Sequence, residues 1–106
     1  MASPKSRTRR ATSSTPRVLA RLPRGHAKLA DQLQRASLSI SVNIGEGTGK
    51  RSPRDRARFY EYSHGSAMEC GALFDALRAM DLVDEPTHAE AKELLVRIVS
   101  MLSKMC

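Results

Sequence analysis

Apolar residues recur from residue 29 onward with the period of an α-helix. Over residues 29–44, residues that are three, four or seven positions apart share one face of a helix. This face carries the apolar residues Leu29, Leu33, Ala36, Ile40 and Ile44, together with the polar Asn43. The sequence therefore predicts a first helix from about Leu29. Gly45, Gly47 and Gly49 are expected to end it, because glycine tolerates the left-handed conformation found at helix ends.

The first helix also has apolar residues on its opposite side. Leu38 and Val42 lie away from Leu29 and Leu33 on a helical projection. A helix with two apolar faces needs two packing partners. This pattern indicates either a further helix or contact with another subunit.

A second helix is predicted to follow Ser52, which can cap it, with Pro53 in the first turn and Asp55 completing a capping box. Its apolar stripe runs to about Val83 and contains Phe59, Tyr62, Ser63, Ser66, Cys70, Leu73, Phe74, Leu77 and Met80. A neighbouring row consists of Gly65, Glu69, Ala72 and Ala76. Small residues in that row would let another helix approach closely, with the glutamate at the edge of the packed surface.

A third helix is predicted after the break at residues 84–86. Thr87 and Glu90 form a second possible capping box, and the helix is expected to run from about His88 to Lys104. Its apolar face contains Ala91, Leu94, Leu95, Ile98, Met101, Leu102 and Met105. No segment shows strand-like alternation, so the predicted fold class is an all-α, up-and-down helical bundle.

Charge divides the 106-residue chain into two parts. Residues 1–28 carry a charge of +8 with no acidic residue, whereas residues 29–106 carry −1. We expect residues 1–28 to be a basic, disordered tail or the remnant of a helix, and residues 29–106 to be the bundle domain. A cationic segment attracts polyanions, above all nucleic acids.

Several functional classes find no support in the sequence. The two cysteines, Cys70 and Cys106, have no metal-site spacing and are typical of a reduced, cytoplasmic chain. No apolar run is long enough for a membrane span, and no secretory signal is present. The basic N-terminus has the composition of a transit peptide, but its prolines would interrupt the required helix. Without a catalytic constellation, we expect no enzyme activity, no small-molecule substrate and no cofactor or metal.

The segment NIGEGTGKRS, residues 43–52, resembles a phosphate-binding loop only superficially. Ile44 stands where such a loop needs its first glycine, and Arg51 stands where it needs Ser or Thr. The preceding element is a predicted helix rather than a strand. Nucleotide hydrolysis here is therefore the weakest hypothesis. Asn43 and Glu46 are instead expected to stabilise the turn through hydrogen bonds.

Basic residues cluster directly after this turn: Lys50, Arg51, Arg54, Arg56 and Arg58. Such a run is usually a solvated face, but together with Arg7, Arg9 and Arg10 of the tail it suggests phosphate contacts. Phe59 and Tyr62 are expected to be buried, so few aromatic rings would be available to stack on bases. Contacts to nucleic acid should then be mainly to the backbone.

The segment from Leu29 to Met105 resembles the bacterial four-helix bundle family, which includes proteins encoded in intervening sequences of large-subunit ribosomal RNA genes. The resemblance rests on the pattern QLxRAxxSIxxNIxEG, an RS-containing turn and GSxxE. These read Gln32 to Ala36, Ser39-Ile40, Asn43 to Gly47, Arg51-Ser52 and Gly65 to Glu69.

This resemblance implies a noncatalytic bundle that assembles into a ring, typically a homopentamer. Related accessory proteins of diversity-generating retroelements bind a reverse transcriptase and its RNA through a basic surface. Structural or assembly roles are then expected for Asn43, Glu46, Gly47, Gly65 and Glu69. The chain departs from the family at two places. Gly45 replaces a more usual Ala, and the helix that the family has before Leu29 is represented here only by Val18, Leu19 and Leu22 between prolines.

Together these observations predict an oligomeric binding or scaffold protein that contacts RNA or a nucleoprotein partner through a basic surface. The alternative is a protein-interaction module without any role in nucleic-acid binding.

Overall fold

The described part of the chain folds into three α-helices connected by two short turns. A computed structural model describes residues 26–105. Helix α1 spans Ala27–Thr48, α2 spans Pro53–Ala79 and α3 spans Glu85–Met105. No strand occurs within the described part of the chain. The all-α bundle predicted from the sequence is confirmed, with three helices rather than four in the described residues.

Helix α2 is the central element of the bundle. Both α1 and α3 pack against it, whereas no Cα pair joins α1 and α3 within 8 Å. Side chains from all three helices nevertheless form one core. Its largest fully buried members are Phe74, Leu33, Ile40, Leu77, Ile98, Leu102, Cys70 and Ser63.

Of the three glycines predicted to end α1, only Gly49 does so. Gly45 and Gly47 lie inside the helix, which continues to Thr48, and the capping residue Gly49 has φ −80°, so it is not left-handed. The reason lies in packing, because Gly47 is buried against the ring of Tyr60. A Cβ atom at Gly47 would stand 2.7 Å from Tyr60 Cε1. This glycine therefore permits close approach of α1 and α2.

The start of α2 is confirmed and its end comes earlier than expected. The Ser52 hydroxyl accepts a hydrogen bond from the Asp55 amide at 3.4 Å, with Pro53 in the first turn. The helix ends at Ala79 rather than near Val83 because Asp81 adopts a left-handed conformation with φ 58°. The Leu82 amide then bonds back to the Leu77 carbonyl at 2.8 Å, which is the six-to-one bond of a Schellman motif.

Helix α3 begins three residues before the predicted position. Asp84 is the capping residue, since its Oδ1 accepts a hydrogen bond from the Thr87 amide at 2.8 Å and its carbonyl accepts one from the His88 amide. Pro86 lies in the first turn, where a missing amide costs little. The predicted cap at Thr87 is therefore wrong, because an earlier residue already satisfies these amides.

Within residues 26–105, an apolar side of α1 and a row of small residues on α2 remain exposed. Leu38 and Val42 are 56% and 58% exposed, which confirms that α1 has an apolar outer side. The row of Gly65, Ala72 and Ala76 on α2 is also exposed. None of the three described helices combines the length and apolar character that a membrane crossing requires.

Candidate nucleic-acid interface

The basic cluster lies at one end of the bundle, around the turn from α1 to α2. We call this surface the basic corner and define it by Lys50, Arg51, Arg54, Arg56 and Arg58. The α2–α3 turn lies at the opposite end of the 27-residue helix α2, roughly 40 Å away at 1.5 Å per residue. There, residues 79–96 contain five acidic residues and one basic residue. The bundle is therefore polarised along its length, with positive charge at the basic corner.

The cations of the basic corner are only weakly engaged by acids. Arg51 and Arg54 are exposed and form no ion pair within residues 26–105. Lys50 Nζ lies 3.9 Å from a Glu46 carboxylate oxygen, and Arg58 lies 4.0 Å from Asp55. Exposed pairs of this length contribute little. An approaching phosphate can therefore compete for all four cations.

Arg56 differs from the other members of the basic corner. Its guanidinium Nη1 donates hydrogen bonds to the carbonyl oxygens of Lys50 at 3.2 Å and Arg51 at 3.3 Å. These bonds hold the turn that presents the neighbouring cations. The geometry gives Arg56 a structural task, and its predicted phosphate contact remains a prediction.

Two aromatic residues of α2 adjoin these cations. Lys50 Nζ and Arg58 Cζ lie 5.1 and 5.3 Å from the centroid of the Phe59 ring. The Phe59 and Tyr62 rings meet edge to face, with centroids 5.7 Å apart. The predicted burial of Tyr62 is wrong, because this residue is 53% exposed, and Phe59 is half-buried.

The buried tyrosine is Tyr60, which the sequence reasoning missed. Tyr60 is 8% exposed and packs in the core. A signal was available, because Tyr60 lies three residues before Ser63 and seven before Ala67, both of which are buried. That alternative stripe places Tyr62 on the outer side of α2.

A polar chain links α1 to α2 beside Tyr62. Asn43 Nδ2 donates to the carbonyl and the hydroxyl oxygen of Ser39, each at 2.9 Å. Ser39 Oγ lies 2.6 Å from Ser66 Oγ, whose hydroxyl donates to the Tyr62 carbonyl at 3.0 Å. The sequence predicts that Asn43 stabilises the turn, but these hydrogen bonds lie within α1, where its amide orients the hydroxyl that joins the two helices.

The remaining predicted residues fall into distinct environments. Glu46 is exposed, and its nearest cation is Lys50. Gly47 is buried in the helix contact, whereas Gly65 and Glu69 are exposed, and nothing lies within 4 Å of a Cβ atom added at Gly65. Their assembly roles remain predictions. Arg7, Arg9 and Arg10 lie outside the described residues.

Other polar and ionisable groups lie away from the basic corner within residues 26–105. No group of three or more His, Cys, Asp or Glu residues there could hold a metal ion. Asp75 joins α2 to α3 through His88 Nε2 at 2.7 Å and Lys92 Nζ at 2.9 Å, and these hydrogen bonds lower the pKa of Asp75. Burial raises the pKa of the Cys70 thiol.

Comparison with known proteins identifies a family but no curated relative. No curated protein sequence matches the chain. The family model described as 23S rRNA-intervening sequence protein matches residues 5–104. The match extends upstream of Leu29 into the basic N-terminal segment and covers the basic corner. The chain therefore belongs to the 23S rRNA-intervening sequence protein family.

Proposed function

We propose that this protein is a noncatalytic binding or scaffold protein that contacts RNA phosphates through its basic corner. The observation that carries the proposal is the pair of exposed guanidinium groups of Arg51 and Arg54, which have no acidic partner within residues 26–105. Membership of a family named for a ribosomal RNA element supports RNA as the polyanion.

The polarity of the bundle adds a physical reason for this choice of surface. Acidic residues concentrate near the α2–α3 turn, and they repel a phosphate backbone. The basic corner attracts it, and each phosphate contact releases bound counterions from the RNA. The N-terminal cations, including Arg7, Arg9 and Arg10, would add to the attraction. An RNA bound in this way dissociates as the salt concentration rises.

The test is an RNA-binding titration at several salt concentrations. Wild type is compared with a variant carrying Arg51→Gln, Arg54→Gln and Arg58→Gln. For single-stranded RNA, the slope of log K against log salt should become shallower by about 2, because roughly 0.7 counterions are released per contact. Affinity at low salt should fall by about tenfold or more.

A matched control removes three positive charges elsewhere. Arg35, Arg78 and Arg97 lie in exposed pairs with Asp31, Asp81 and Glu93. Their replacement by Gln changes the net charge by the same amount and should leave the salt slope nearly unchanged. Equal losses of RNA affinity in both variants would show that only the net charge matters, not the basic corner. Absence of any salt-dependent binding by wild type would refute the proposal.

The second candidate is a protein-interaction module, and an apolar groove favours it. The groove lies between α2 and α3, has a volume of about 360 Å³ and is lined mainly by Ala67, Met68, Gly71, Leu95, Val96 and Val99. An exposed apolar surface of this kind is typical of contact with another protein. RNA titrations that show no binding would favour this candidate.

We also propose that the protein is a homo-oligomer, with the pentamer as the assembly that the family resemblance implies. The exposed side chains of Leu38 and Val42 support this proposal. Light scattering at micromolar concentration should give a mass well above the 11.7 kDa of one chain. A monomer mass across that range would contradict it.

A further inference from the structure

Tyr62 occupies a position that the packing of the bundle does not explain. It is a large aromatic residue on α2 with 53% of its surface exposed. Arg58 lies four residues earlier, so the two side chains are neighbours on the same helix face. An exposed ring beside a guanidinium group offers a flat apolar surface next to positive charge.

The surroundings of Tyr62 form a continuous patch of alternating aromatic and cationic groups. Phe59 meets the Tyr62 ring edge to face. Two cations, Lys50 Nζ and Arg58 Cζ, lie near the Phe59 ring at 5.1 and 5.3 Å. Half-buried Phe59 thereby connects the exposed tyrosine with one cation of the turn, Lys50, and one of α2, Arg58.

The backbone beneath this patch is held in place. The hydroxyl of Ser66 donates to the Tyr62 carbonyl, and Ser66 is itself bonded to Ser39 on α1. Asn43 completes this chain of hydrogen bonds. A ring on a fixed helical position loses little conformational freedom when it binds a flat ligand.

These contacts match what an unpaired nucleic-acid base requires. Proteins bind single strands by combining cations that contact phosphates with aromatic rings that stack on bases. In a duplex the base faces are covered by neighbouring bases, whereas in single-stranded loops they can be splayed out. A duplex would therefore use the cations but leave the exposed tyrosine without a partner.

We propose that Tyr62 stacks on an unpaired base while Lys50 and Arg58 contact phosphates of the same strand. The inference rests on the proposed function and specifies its ligand: the basic corner binds single-stranded RNA in preference to duplex RNA. Stacking does not depend on counterion release, so its contribution to the affinity does not change the salt slope. A salt titration therefore distinguishes it from the phosphate contacts.

The test pairs a protein change with a ligand change. Tyr62→Leu keeps an apolar side chain and removes the ring, whereas Tyr62→Phe keeps the ring. The ligands are a short single-stranded RNA and the same strand with abasic sites in its centre. Wild type and Tyr62→Phe should bind the intact strand about tenfold more tightly than the abasic strand. Tyr62→Leu should bind both with the weaker affinity and with an unchanged salt slope.

A matched control comes from the residue that caps the other end of α2. Met80 is 50% exposed and lies away from the basic corner, so Met80→Ala should bind both strands like wild type. All variants alter exposed side chains, and circular dichroism checks that each remains helical.

Tyrosine emission offers a second measurement. The chain has two tyrosines and no tryptophan, and of the two only Tyr62 is exposed. Intact RNA should quench wild-type emission on binding, and Tyr62→Phe should abolish most of this change while keeping the affinity.

The outcomes separate this inference from the proposed function. Binding that weakens with salt and requires Arg51 and Arg54, yet is equal for intact, abasic and duplex RNA, overturns the inference and leaves the proposed function standing. Absence of salt-dependent RNA binding overturns both. Dependence on the Tyr62 ring and on the bases together supports both.

Discussion

The contact between Gly47 and Tyr60 allows a sharp test of the packing at the basic corner. In the interior of a helix, replacement of Gly by Ala normally stabilises by about 0.5–1 kcal/mol. At Gly45 nothing lies within 4 Å of an added Cβ atom. Gly45→Ala should therefore increase the free energy of unfolding by about 0.5 kcal/mol, since the site lies near the end of α1.

The same substitution at Gly47 should have the opposite sign. Its Cβ atom would lie 2.7 Å from Cε1 and 2.9 Å from Cδ1 of Tyr60, and 3.3 Å from the carbonyl oxygen of Arg56. Carbon atoms pack at about 3.5 Å or more, so the ring must move by about 0.8 Å. Overpacking of this kind costs about 1–3 kcal/mol. After the helical gain is subtracted, Gly47→Ala should destabilise by about 1–2 kcal/mol.

Urea unfolding followed by helical circular dichroism measures this difference. With a denaturant dependence of about 1 kcal/mol per molar urea for a domain of this size, the midpoint should fall by about 1–2 M for Gly47→Ala and rise by about 0.5 M for Gly45→Ala. All proteins are compared at one concentration, because assembly changes apparent stability.

A double variant tests the stated cause. Tyr60→Leu is destabilising by itself, but it removes the ring that an alanine at position 47 would strike. Combining it with Gly47→Ala should therefore cost less than the sum of the single changes. Similar stabilisation by both glycine replacements, or strictly additive costs in the double variant, would show that the Gly47–Tyr60 contact does not set the spacing of the helices.

Three further predictions concern other parts of the bundle. Asp81→Gly should stabilise by about 0.5–1 kcal/mol in urea unfolding, because φ 58° strains a residue with a Cβ atom. Hydrogen bonds from His88 and Lys92 lower the pKa of Asp75 in the folded state. The stabilisation that Asp75 provides is therefore complete above its unfolded-state pKa of about 4 and is lost as the pH falls through its lower folded-state pKa. The difference in urea midpoint between wild type and Asp75→Asn should therefore shrink in acid. Cys70 is buried and its pKa is raised, so peptide mass spectrometry should find it alkylated only after urea is added.

The sequence predicts the helices of this fold well where interactions between neighbouring residues determine the helix boundaries. Ser52 and Pro53 specify the start of α2 by themselves, since capping and proline geometry involve only neighbouring residues. The sequence does not specify the start of α3, because Asp84 and Thr87 are both competent caps and Pro86 is compatible with either of them. Local rules do not rank two valid caps, and the folded chain uses the earlier one.

The candidate site is predicted less completely, because it depends on contacts between helices. The cations of the basic corner could be read directly from the sequence. The exposure of Tyr62 could not, since Tyr60 and Tyr62 are two residues apart and only one of them can face the core. Both assignments leave a plausible apolar stripe on α2. The choice is made by α1, which must supply space for the buried ring.

Gly47 supplies that space, and this connects the fold to the proposed RNA contact. With no side chain at position 47, the Tyr60 ring packs against α1 and fixes the rotation of α2. At 100° per residue, Tyr62 then lies about 200° from Tyr60, on the outer surface beside Arg58. A glycine that looked like part of a phosphate-binding loop thus acts through packing. In the proposed RNA contact, its part would be to determine which tyrosine faces solvent next to the cations.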